Sequence, residues 1–472
     1  MSGSGSPRAT HVPARSAAWA VAAVFAAPVL ALVLSGANAG RAAFDSIAYH
    51  EHFIRQLAED APRIDLSNPL TATTPGFHML IAAASVAGLE STTSLRLVAA
   101  AIGVALVWWL ARWCERSTGS PAGAVLALPL AASVYVIGSG AWLLPDDLAW
   151  LLVGAVLAIC LRPKVGPRDL ALASALLVPL VLVRQTHLWA AALVWAAAMR
   201  PRGDEPITPA RAVRAALPWI VATVPAFATV GAFARHWGGL VPPRFQGELQ
   251  SLNPATPAFL LLQVAILSLG FLPWIARAVR LAFDRSLHAL IAGGLAGLLL
   301  AAIPTTTENI VAGRYSGWWT LVGRAPTIGG RMSLAMLVLA PVGAMVVVAL
   351  VAGLGRGRRI VAVAAILAFG GAVTLQHYAW QRYHEPFILL LLPMLCVLQE
   401  DGWRWRPRMA LAPLALVAVS VVVCVRSLDA TPVAQGRVPP ARHRAEGDRF
   451  YLESRRLSEM EVAAGTPAQA PG

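Results

Sequence analysis

The stretch Ser16–Leu34, SAAWAVAAVFAAPVLALVL, contains no charged residue and a single hydroxyl. As a helix it would rise about 28 Å, close to the ~30 Å of hydrocarbon in a bilayer. Runs of the same kind recur at Met332–Leu354 and Met409–Val425. None alternates apolar and polar residues as the strands of a membrane barrel do. Their backbone groups must therefore be satisfied within helices. The expected fold is all-α, a polytopic transmembrane helix bundle.

Composition agrees. Hydrophobic residues make up 57% of the 472 positions and charged residues 13%, about half the charge of a soluble domain. The net charge of +14 does not point to nucleic acid, because the arginines sit in short loops between apolar runs, the positive-inside pattern. Lys164 is the only lysine. With so much alanine, that arginine bias reads as a GC-rich bacterial genome. Cys114, Cys160, Cys396 and Cys424 lie in or beside apolar runs without metal-ligand spacing, as packing residues do. Residues 1–15 read as a cytoplasmic tail before a retained first helix.

About 13 spans are expected, near 16–36, 95–113, 122–142, 148–161, 169–183, 188–199, 216–234, 257–276, 287–303, 334–354, 360–376, 387–399 and 410–426. They form one membrane domain over 16–426, followed by a polar tail at 427–472. With a cytoplasmic N-terminus, the basic groups around Arg112, Arg162, Arg200, Arg277, Arg356 and Arg404 all fall on one side. That alternation requires Phe77–Leu89 not to span. It is placed with interfacial helices in a first outer loop, 37–94. The tail's six arginines oppose this assignment, and its side stays open.

The remaining loops collect polar residues on the other face: Phe44 to His52, Leu144-Pro145-Asp146-Asp147, Arg184-Gln185-Thr186-His187, Arg235 to Glu248, Glu308 to Trp319, and His377 to Glu385. Ionisable groups at membrane depth are costly and mark substrate paths or sites. Asp45 can act as a general base toward an acceptor hydroxyl, or simply cap a helix. Asp146 and Asp147 sit where a helix begins, and paired carboxylates also suit Mg2+ or Mn2+. Arg184 and Arg382 offer planar donor forks to a lipid phosphate. Their alternatives are snorkelling or pairing with Glu385 or Asp146. His384 is placed to protonate a leaving group or bond its phosphate, or to be an ordinary interfacial histidine. Trp318 and Trp319 read mainly as an aromatic belt.

These residues resemble the GT-C glycosyltransferase superfamily, and within it the dolichyl-phosphate-glucose α-1,2-glucosyltransferase family. Phe44-Asp45-Ser46-Ile47 is similar to that family's Met-Asp-Glu-Ile. Thr73-Thr74-Pro75-Gly76-Phe77 is similar to its Thr-Thr-Pro-Pro-Gly-Leu. Val183-Arg184-Gln185-Thr186-His187-Leu188-Trp189 resembles its Phe-Arg-Gln-Thr-Asn-Ile-Ile-Trp, the most specific of the matches. The helix Phe259 to Phe271, with Gln263, resembles the one after its long outer loop. The order and spacing agree over about 45–270. The family's acidic pair is reduced here to Asp45-Ser46, and its Asn-Arg-His-Tyr matches Gln381-Arg382-Tyr383-His384 only loosely.

The resemblance implies an inverting glycosyltransferase acting on the extracytoplasmic face of a bacterial plasma membrane. Its donor would be a polyprenyl-phosphate-linked monosaccharide, and its acceptor a lipid-linked or cell-envelope glycan. It implies Asp45 as base, and Arg184, Gln185 and Arg382 as substrate contacts. A lipid-linked glycan flippase would need polar residues through the bilayer and often internal repeats, and neither stands out in the sequence. A glycan polymerase or ligase would share the arginines but take an oligosaccharide donor. A non-catalytic membrane scaffold is the remaining alternative.

Overall fold

The structure is a computed structural model that describes residues 16–36, 43, 45–201, 208–246, 252–303, 317–376, 378–400 and 405–429. It is all-helical apart from a two-residue antiparallel pairing of Thr327–Ile328 with Met332–Ser333. Helices of eight or more residues are numbered in order: α1 Ala17–Leu34, α2 His52–Glu59, α3 Gly76–Val86, α4 Thr92–Thr118, α5 Val134–Ala141, α6 Asp146–Cys160, α7 Pro167–Val183 and α8 Ala191–Ala198. Then come α9 Pro209–Trp237, α10 Thr256–Leu267, α11 Leu272–Ala301, α12 Leu334–Ala352, α13 Arg356–Thr374, α14 Gln381–Val397 and α15 Leu411–Asp429.

Among the described residues, six helical stretches are long and apolar enough to cross a membrane, or seven with Pro121–Ala131 and Val134–Ala141 as one span bent by 78°. This is a helical membrane protein. The expected spans at 148–161, 188–199 and 387–399 correspond to helices of 15, 8 and 17 residues, shorter than the ~20 that cross alone. The expected basic loop after residue 276 is helical instead. Arg277, Arg280 and Arg285 lie within α11, which kinks at Ser286. Most of Phe77–Leu89 lies in the eleven-residue α3, Gly76–Val86, about 16 Å long and shorter than the bilayer core.

With no aqueous driving force between apolar faces, membrane helices associate through small residues that let backbones approach. α10, α11 and α12 do this. A Cβ on Gly343 would sit 1.9 Å from the Leu261 carbonyl oxygen, and one on Gly297 would sit 2.7 Å from that of Ala340. Polar ties fix the ends. Buried Glu115 at the foot of α4 accepts from Ser16 Oγ (2.7 Å), Ala18 N (2.9 Å) and Arg112 Nη1 (2.8 Å), holding the start of α1. Glu115→Ala should cost about 2 kcal/mol by orphaning a helix-start N–H and a charged pair. A thermal midpoint unchanged in detergent would refute that tie.

Three loops expected on one side of the membrane do meet. Arg200 donates to the carbonyls of Arg162 (2.6 Å) and Gly357 (3.0 Å), and Arg358 to that of Leu161 (3.1 Å). Trp319, expected in an aromatic belt, is instead fully buried, stacked 4.4 Å from Phe259, with Nε1 donating to the Ala379 carbonyl.

Candidate functional site

At the other end of α1 and α6 lies a second polar layer. It is built from the segment after α1, the starts of α6 and α14, and the end of α7. Asp45 opens a helical segment whose first turns, Ser46–Glu51, are π-helical, and its side chain makes no capping bond there. The carboxylate is ion-paired with Arg382 in the first turn of α14. Asp146, just after Pro145, is ion-paired with Arg184 at the extended residue ending α7.

Tyr383 joins the two pairs. Arg184 lies 4.7 Å from the centre of its ring, and Arg382 lies 5.2 Å from it while donating to its hydroxyl at 3.3 Å. Arg382 also covers the Trp380 ring at 4.4 Å. Two cations, two carboxylates and a phenol thus share one partly buried patch. Attraction to these aromatic rings helps hold both guanidinium groups in place.

Gln185 has a holding role. Its Oε1 accepts from Thr74 N at 3.0 Å, and its Nε2 donates to the carbonyls of Ala72 (2.8 Å) and Leu240 (3.2 Å). Thr74 Oγ1 in turn donates to the Val181 carbonyl at 2.6 Å. The Thr73-Thr74-Pro75-Gly76 segment is thereby clasped to the end of α7. A Cβ on Gly76 would meet the Leu182 carbonyl oxygen at 2.7 Å, so glycine is needed for that approach. Gln185→Leu should loosen residues 72–76 by about 1–3 kcal/mol, because it strands buried polar groups. Unchanged amide exchange across that segment would contradict the clasp.

His384 turns away from the layer. Two residues along a helix is about 200° of rotation, so with Arg382 facing Asp45, His384 faces the interior. There its Nδ1 lies 3.0 Å from Gln263 Nε2, between Phe259 and Phe369. Glu385 is likewise internal, accepting from Ser133 Oγ at 2.5 Å and from Gln381. Asp147 parts from Asp146. Its backbone N donates to Ser139 Oγ, and its carboxylate lies where Cβ atoms on Gly103 and Gly140 would intrude, beside Phe25. The two adjacent carboxylates thus face different surroundings, and among the described residues no three His, Cys, Asp or Glu gather. Glu308, Asn309, Arg314, Tyr315, Glu248 and His377 lie outside the described residues.

The structure adds an imidazole pair that carried no motif. His50 Nδ1 lies 2.8 Å from His78 Nε2 with the rings nearly parallel and edge to edge, and His78 is fully buried between Phe53 and Phe77. Burial, with the charges of Arg382 and then Arg184, lowers the His50 pKa to about 3. It is therefore neutral at pH 7 in the unliganded site. No local signal in the sequence joins His78, on a short apolar helix, to the first loop.

No family model, curated protein or solved structure matches the chain.

Proposed function

We propose that the chain is a GT-C-type membrane glycosyltransferase that passes a monosaccharide from a polyprenyl phosphate to a hydroxyl of a lipid-linked or cell-envelope glycan. One observation carries this reading: Arg382 and Arg184, each preset by a carboxylate and an aromatic face, converge on Tyr383 at one end of an apolar bundle. An anion carried on a lipid tail is the substrate that such a place suits. The positive-inside rule favours the cytoplasm for the opposite, basic end, which supports our reading of an extracytoplasmic site in a bacterial plasma membrane.

In this mechanism the donor phosphate takes Arg382 and Arg184 as ligands and displaces the carboxylates that occupy them. Asp45, released from Arg382 but held beside it, accepts the acceptor's proton as the hydroxyl attacks the anomeric carbon. The arginines stabilise charge growing on the leaving phosphate, the electrostatic contribution that is usually largest. Fixing both lipid-borne partners at one depth supplies orientation. Until the donor arrives Asp146 keeps Arg184 aimed, and Gln185 keeps the Thr74 segment clasped to the end of α7. No step is assigned to a metal.

Membranes bearing wild type or Asp45→Asn, given radiolabelled polyprenyl-phosphate monosaccharides and native envelope lipids, test this reading. Transfer by wild type and its loss in Asp45→Asn at equal expression is the expected result. Transfer retained in Asp45→Asn removes Asp45 as base. Transfer only from oligosaccharide donors turns the assignment to a polymerase or ligase.

A further inference from the structure

Arg382 is aimed by a helical turn that the backbone alone holds poorly. Pro386 has no N–H to give the carbonyl of Arg382, four residues before it, and its ring crowds that carbonyl. α14 therefore begins with a turn short of one bond, in the place where the guanidinium most needs a fixed base. Side chains supply what the backbone lacks. Gln381 and Glu385, both buried, are one turn apart on one face of α14. Gln381 Nε2 donates to the Glu385 carboxylate.

The pair is fastened at both ends. Glu385 Oε1 accepts from Ser133 Oγ at 2.5 Å, in the break where Pro121–Ala131 and Val134–Ala141 are bent by 78°. Gln381 Oε1 accepts from the backbone N of Trp318 at 2.6 Å, at the start of the short helix Trp319–Arg324. Gly317 makes that approach possible. Its φ of +61° is left-handed, and a Cβ there would lie 2.0 Å from Gln381 Oε1 and 2.6 Å from the Tyr135 hydroxyl. Three elements distant in sequence thus meet on the turn that carries Arg382 and Tyr383, through one chain of bonds from Trp318 to Gln381, Glu385 and Ser133.

Resting on the glycosyl-transfer reading above, we propose that Glu385 is a positioning residue for the reaction. Braced by Ser133 and acting through Gln381, it fixes the first turn of α14 so that Arg382 and Tyr383 meet the donor's phosphate in one register. A carboxyl group suits the task because each of its oxygens accepts from a different neighbour. Its charge does not help. By charge alone, removing a carboxyl group near an anion site tightens anion binding or leaves it unchanged, whereas loss of the brace loosens it.

The test is calorimetric binding of farnesyl phosphate, a lipid phosphomonoester, to the full-length protein in detergent. Glu385→Leu should bind it about tenfold more weakly than wild type, the effect of one lost hydrogen bond. Glu385→Gln should stay within about threefold of wild type, because its amide oxygen can accept from Gln381 while its nitrogen donates to Ser133 Oγ. Glu115→Ala loosens the bundle at its other end and should bind as wild type, which separates local positioning from general destabilisation. Gln381→Leu cuts the same chain of bonds and takes the place of Glu385→Leu if that variant does not purify folded. Binding as tight as wild type in the leucine variant would overturn the positioning role while leaving the phosphate site standing. A loss of the same size in Glu385→Gln or Glu115→Ala would do so too. Failure of wild type to bind farnesyl phosphate would overturn the phosphate site and, with it, this proposal.

Discussion

Arg382→Ala is expected to lower sugar transfer by about 10²–10³-fold, the usual cost of removing one preorganised charge donor from a transition state. The loss has two sources. The leaving phosphate forfeits its guanidinium, and Asp45, only 14% exposed at its side chain, is left as an unpaired carboxylate, a change that costs about 3–5 kcal/mol where the pair is buried. The second source can be separated. Arg382→Ala combined with Asp45→Asn removes both charges and should recover thermal stability without recovering transfer. Arg382→Lys should recover only part of the rate, because an ammonium can neither grip bidentately nor lie flat on Trp380 and Tyr383. A rate within tenfold of wild type in Arg382→Ala, at equal folded protein, would take Arg382 out of the chemistry.

Gly343→Ala should be the most damaging single change in the packing of the bundle. The added methyl would lie 1.9 Å from the Leu261 carbonyl oxygen and 2.7 Å from its carbon. Backbone atoms on both helices must then separate, because no side chain is there to give way. Overpacking that moves backbone costs about 1–3 kcal/mol or more, and here it acts on α10, which carries Gln263 toward His384. Size-exclusion profiles of detergent-solubilised protein should show loss of the monodisperse species. Gly371→Ala, where an added Cβ meets nothing within 4 Å, is the matched control and should behave as wild type. Equal profiles for both variants would mean that the α10–α12 contact tolerates separation.

The sequence made the membrane class legible because hydrocarbon thickness imposes a length that apolar runs either meet or miss. It also picked out Asp45, Asp146, Arg184 and Arg382, since charge is conspicuous at the end of an apolar helix. The pairing of Asp45 with Arg382, separated by 337 positions, was not legible. Which carboxylate meets which arginine depends on how the helices pack, and helix packing leaves no local trace. Rotational phase was the other loss. His384 and Gln185 sit among the right neighbours in sequence, yet one faces Gln263 and the other clasps Thr74, because phase is set by helix ends known only to within a few residues. The segment around Arg280 misled for a related reason: a cluster of arginines reads as a loop, while the chain keeps a helix until Ser286. Trp319 shows that an indole near a membrane boundary can be a core residue when its N–H finds a carbonyl.

The π-turn at Ser46–Glu51 also constrains how this loop can change length. One residue more than an α-helical turn is wound into the chain between Asp45 and α2. Because a π-helix turns the chain only about 82° per residue, deleting any one of residues 46–49 and relaxing to an α-helix would keep Asp45 within about 10° of its present phase relative to Phe53, Ile54 and Leu57, which anchor α2 in the core. A one-residue gap in this stretch should therefore be tolerated, whereas a two-residue gap would turn Asp45 by about 100° away from its partner Arg382.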